Sequence, residues 1–186
     1  MALTCTTIAS SQVINCNNLP VAGNDVFLYL FNLSDKGVIT QTGGVISAIA
    51  LAGAALAYKW EGANDFVLST YSIVTSRILN GFAHRLEIVA PNDSQIALNE
   101  LRNLANGRVV GITSKFGSVE NTFRVHGIVH GLQAIEVTGD DSNADSEGLP
   151  TVALATPEGK KEPLPPQHFL STNYTDTLAA LEALLT

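Results

Sequence analysis

The stretch GGVISAIALAGAALAYKWEG, residues 43–62, has no charged side chain before Lys59. How it folds decides the class of the protein. A bilayer-spanning helix needs roughly 20 predominantly apolar residues. The apolar part of this stretch is shorter, and it is rich in Ala rather than Leu, so a membrane-spanning helix is not expected. A buried helix competes, because Ala favours it. Against the helix stand Gly43, Gly44 and Gly53 and the β-branched residues of the first half. Val45, Ser47, Ile49 and Leu51 share one parity. Leu56, Tyr58 and Trp60 share another. That period of two predicts a hairpin, with strands over 44–51 and 55–61 and a turn at Ala52-Gly53-Ala54. Its other face would be small and smooth, suited to lie flat against a second surface.

Outward from there, DVFLYLFNL (25–33) alternates with apolar residues on both faces, the mark of a strand buried on both sides. SDKG (34–37) signals a turn. Alternation returns in 65–76, 81–90, 108–116, 121–131, 132–139 and 151–156. The segment 91–107 reads as a helix, capped by Asp93 or Ser94 and closed by Gly107. Ala97, Leu101 and Leu104 form its apolar stripe, with Ile96 beside it. Residues 157–167, PEGKKEPLPPQ, read as an extended linker, followed by a short helix with Leu178, Leu181 and Leu185 on one face. The expected class is mainly β: a sandwich or barrel over 1–156 with one flanking helix at about 91–106, and a Pro-rich arm ending in a helix over 157–186.

Composition narrows the function. Of 186 residues, 46% are hydrophobic and only 15% charged, against about 25% in ordinary soluble domains. So little charge predicts a surface covered by another chain. The net charge of −7 carries no basic stripe for nucleic acid. Cys5 and Cys16 lack metal-site spacing and are expected as small buried thiols rather than a disulfide. MALTCTTIASSQV at the start has no basic residue and no apolar run, so no signal peptide is expected.

Candidate chemistry is thin. His126 and His130 are four apart, but in a strand that puts them about 13 Å from each other, against Zn–N bonds of about 2.1 Å. Asp141, Asn143, Asp145 and Glu147 alternate as calcium-loop ligands do. However, Ser146 stands where the turn glycine belongs and Val152 where the bidentate Glu belongs, so they are weak candidates. No nucleophile motif or phosphate loop occurs. The expectation is no enzyme, no cofactor and no metal. Trp60, Tyr58, Tyr29 and Tyr71 are available either to a core or to a saccharide-stacking platform.

The runs NGRVVGITSKFG (106–117), FRVHGIVHGLQA (123–134), GDDSN (139–143) and KEPLPP (161–166), with CNNLPVAGNDVFLYLFNL (16–33) and YKWEG (58–62), are similar to virion proteins of phages that infect Bacteroidetes. The order of elements resembles phage tail tube proteins. That resemblance implies a homo-oligomer of stacked hexameric rings around a DNA channel, other virion proteins as partners, DNA passing without specific binding, and no membrane. It implies assembly in the host cytoplasm and residence in the virion. Interface candidates are Val45, Ile49, Leu51, Leu56, Tyr58, Trp60, Leu178, Leu181 and Leu185. Rival readings are a head decoration, head-completion or tail-terminator protein, or a glycan- or surface-binding β module.

Overall fold

The computed structural model describes residues 24–186 except 63–65, 77–78, 91, 116, 118–121, 143, 145 and 147. Cys5 and Cys16 lie outside the described residues. The protein is mainly β, with its strands in two sheets. Numbered along the chain, the larger sheet runs in spatial order β2 (Lys36–Thr42), β3 (Val45–Leu51), β11 (Gln167–Phe169), β8 (Phe123–His126), β7 (Val109–Lys115), β1 (Asn24–Asn32) and β4 (Tyr58–Glu61). The smaller runs β5 (Val67–Val74), β6 (Gly81–Val89), β10 (Thr151–Ala155) and β9 (Gln133–Thr138). Two helices, α1 (Gln95–Asn106) and α2 (Tyr174–Glu182), complete the described chain.

Strand β1 organises both cores. Its even residues Leu28 and Leu30 join Val67, Leu86, Ile88, Val152 and Leu154 of the smaller sheet and Leu101 and Leu104 of α1. Its odd residues Tyr29 and Phe31 join Ile46, Ile112, Val125, Phe169 and Leu181 of α2 on the opposite face. Period-two alternation with apolar residues at both parities produces this, since successive side chains point to opposite faces. Burial of each such side chain contributes about 1.5–3 kcal/mol. Gly111 on β7 keeps the sheets close: a Cβ there would meet Leu86 Cδ1 at 2.6 Å.

The larger sheet is strongly curled. Only the 3₁₀ turn Leu33–Asp35 joins β1 to β2, a span of about 14 Å at most. In a flat sheet the five strand intervals between them would need about 24 Å. The curl gives α2 its seat, between residues of β1, β3, β7, β8 and β11.

Residues 43–62 form strands and not a helix, but not the expected hairpin. The hairpin turn is Gly43-Gly44, with φ of 62° and 84°, and it joins β2 to β3. Two consecutive left-handed residues give the turn whose twist matches paired strands, and glycine adopts them without strain. After Gly53 the chain leaves the sheet, and β4 pairs instead with β1 at the far edge. The parity reading is also corrected. Thr40 pairs with Ala48 but Gln41 with Ile46, which leaves Ser47 as an extra residue. This bulge turns Ile46 into the core and leaves Val45 only half-buried.

Three further expectations change. The run 121–131 is not one strand: β8 stops at His126, and Gly127 and Gly131, both with positive φ, bound a tight turn closed by Gly131 N–H donating to Gly127 O (3.0 Å). Residues 157–186 are not a separate arm, because β11 is inserted between β3 and β8 and α2 fills the second core. Helix α1 starts at Gln95, later than 91, and of the two expected caps it is Ser94 whose Oγ accepts from Ala97 N–H. Ile96 stands 75% exposed and outside the apolar stripe.

Candidate functional site

The interface candidates divide by the core that claims them. Leu181 is fully buried in its own chain, and Leu178 and Leu185 pack against the same cluster. They therefore anchor the C-terminal helix on its own chain. Tyr29 Oη donates to Glu182 Oε1 (2.7 Å), and Lys59 bridges the same oxygen at 3.2 Å. That hydroxyl, then Lys59, holds the Glu182 carboxyl below its ordinary range, while burial and the carboxylate push the Tyr29 phenol up. Ile49 and Leu51 also pack on this cluster. Leu56 and Tyr58 stay exposed, and Trp60 packs partly on the inter-sheet core.

The open apolar surface lies elsewhere, on the smaller sheet. Strand β5, VLSTYSIV, has no charged residue and sits at that sheet's edge, with no described strand beyond it. Leu68, Tyr71 and Ile73 on it are 54%, 52% and 64% exposed. Ile135 and Val137 are exposed on β9, the opposite edge. Sequence reading identified β5 as a strand. Its place at an edge depends on pairings that periodicity does not encode.

His84 and Glu162 are committed to structure. His84 Nδ1 accepts from Gly127 N–H (3.1 Å), which leaves Nε2–H to donate to Leu164 O (3.0 Å). Neither nitrogen is spare for proton transfer. Burial lowers the His84 pKa against the opposing pull of Glu162. Glu162 accepts from Val129 N–H at 3.0 Å and His130 N–H at 2.8 Å. His126 sits edge-on to His84 at 5.7 Å between ring centres, with Nε2 3.2 Å from Thr113 Oγ1. His130 lies in the turn beyond β8, not on the strand. Among the described residues no three His, Cys, Asp or Glu side chains form a metal-binding group. Asp141 is exposed in a turn, and Asn143, Asp145 and Glu147 lie outside the described residues. The adjacent Asp140 carboxylate accepts from Ser142 N–H and Oγ, which lowers its pKa.

One open groove combines aromatic and polar groups. It lies between edge strand β4 and helix α1, has a volume of about 270 Å³, and is lined by Asn32, Tyr58, Trp60, Glu100, Asn103 and Leu104 among others. Of the four aromatics considered for a stacking platform, Tyr58 and Trp60 share this groove. Tyr29 is buried and Tyr71 lies on β5. The polar wall was not foreseen, although Glu100 and Asn103 stand three apart on α1, the spacing of neighbours on one helix face.

The chain matches no protein-family model, no curated protein and no solved structure. Among the described residues no helix is long and apolar enough to cross a membrane.

Proposed function

We propose that the protein is a self-assembling virion structural subunit, read first as a tail tube subunit that stacks in hexameric rings around a DNA channel. The observation that carries the assembly is the uncharged, eight-residue edge strand β5 with its exposed Leu68, Tyr71 and Ile73. Soluble proteins blunt such edges with charge, Pro or cover, because an open edge templates pairing with another chain. Strand β5 itself carries neither charge nor Pro, and a second copy supplies the cover over Tyr71 and Ile73. The virion assignment rests on the resemblance of the sequence motifs. The net charge of −7 suits a conduit, since basic side chains would retain phosphates through counterion release. A head decoration, head-completion or tail-terminator subunit would use the same edge, and the position of the protein in purified particles separates these roles.

The test is particle mass across a dilution series, with negative-stain microscopy. Rings or tubes are expected from the wild type, and a folded, smaller species from Ile73→Lys, which places a charge on the edge. A stable monomer at every concentration, or assemblies that Ile73→Lys leaves intact, would refute the proposal.

A further inference from the structure

We infer that the groove between β4 and α1 is a binding site for a neutral saccharide. Its two walls are fixed by different parts of the fold. Strand β4 is held by antiparallel pairing to β1, with Tyr58 opposite Leu30 and Trp60 opposite Leu28. Helix α1 is held by Leu101 and Leu104, both buried in the inter-sheet core. The groove is thus built from a paired strand and a docked helix, the kind of support that keeps a site preformed.

Tyr58 and Trp60 are two residues apart and so project from the same face of β4, about 7 Å from each other along the strand. Tyr58 is 58% exposed. Flat aromatic faces of this kind take the C–H face of a pyranose, and the rings carry polar tips that tolerate water at their rim. Across the groove, Asn103 Nδ2 donates to Glu100 Oε2 at 3.3 Å. That bond aligns a planar amide beside a planar carboxylate and leaves Glu100 Oε1 and Asn103 Oδ1 as acceptors. At the end of β1, Asn32 Nδ2 donates to Asp35 Oδ2 at 2.8 Å, so its Oδ1 is a third acceptor. The ligand this set selects is rich in hydroxyl donors and has an apolar face. Among the described residues no Lys or Arg lines the groove, and Glu100 disfavours phosphate or carboxylate on the ligand. The chemistry is that of a neutral hexose or N-acetylhexosamine unit in an oligosaccharide. The inference does not depend on assembly through β5, which lies in the other sheet.

Trp60 is the one Trp in the chain, so intrinsic Trp emission reports on the groove directly. The probes are oligomers of glucose, galactose, mannose and N-acetylglucosamine, with an oligogalacturonate as the anionic comparison. One neutral series is expected to give a saturable emission change. Tyr58→Ala and Asn103→Ala, both at exposed positions, should each weaken binding about tenfold or more, while Leu68→Ala on the smaller sheet should not. The anionic probe should bind more weakly than its neutral counterpart. The inference is overturned if no neutral probe saturates at tens of millimolar, or if Tyr58→Ala binds as the wild type does. It is equally overturned if Trp60 emission follows protein concentration and ignores sugar, which would mean that a second copy fills the groove.

Discussion

Acidification should destabilise this protein chiefly through one buried imidazole, and the size of the effect follows from its surroundings. His126 is 1% exposed. Its Nε2 meets Thr113, while its Nδ1 is buried with no hydrogen-bond partner. Burial first, then the neighbouring His84 and Arg124, push its pKa from 6.5 down to about 3. The folded value lies below the unfolded one, so between them the unfolded chain binds a proton that the native state refuses. Stability contributed by this site is therefore complete above pH 6.5 and is lost as pH falls below it, by about 1.4 kcal/mol per pH unit. From neutrality to pH 5 the loss from His126 alone is about 2 kcal/mol. His84, also shifted down, acts in the same direction. Glu182, whose carboxyl is lowered from 4.5, begins to contribute only below that value and so stays out of the range between pH 7 and pH 5. The assay is urea unfolding at pH 7 and pH 5, at one protein concentration, for wild type and His126→Phe. Whatever the substitution does at pH 7, it should shrink the difference between the two pH values by about 2 kcal/mol. In the native wild type, the ring C–H resonances of His126 should stay fixed over the same range. A midpoint near 6.5 for that ring, or an undiminished pH difference in the variant, would refute the burial account.

Two other outcomes test how the fold is held. Leu181→Ala should destabilise the protein by about 2–5 kcal/mol, read as a lower urea midpoint, because that side chain is fully enclosed by its own sheet. A change near zero would mean that α2 is not docked there. Gly111→Ala should cost about 1–3 kcal/mol by overpacking, since the added methyl meets Leu86. Pairing it with Leu86→Val should recover part of that loss, and additive losses would contradict the close approach.

The mainly β class, the two-faced burial of residues 28–31 and the strand character of 45–51 were all legible in the sequence. Each is local: alternation along a single segment states which side chains leave water and on which faces. The choice of pairing partners was not legible. The turn at Ala52-Gly53-Ala54 looked like the hairpin, whereas Gly43-Gly44, with two positive φ values, makes the hairpin and sends β4 to the opposite edge. The bulge at Ser47 then exchanged Val45 for Ile46 in the core, a one-residue shift that composition does not record.

The same division runs through the surfaces. The Leu face of the last helix was plain in the sequence, but a stripe of leucines does not say whether the sheet it meets belongs to its own chain, and the curl of seven strands provides that seat here. The proline-rich stretch looked like a linker because proline and charge disfavour regular structure. Yet Glu162 caps the amides of Val129 and His130, and β11 closes a gap between two strands. Those roles exist only once distant segments meet. Sequence alone thus determined which segments are apolar and with what period. Tertiary structure decided which edges stay open and which side chains share a groove, because pairing and packing are set by free energy summed over contacts far apart in the chain.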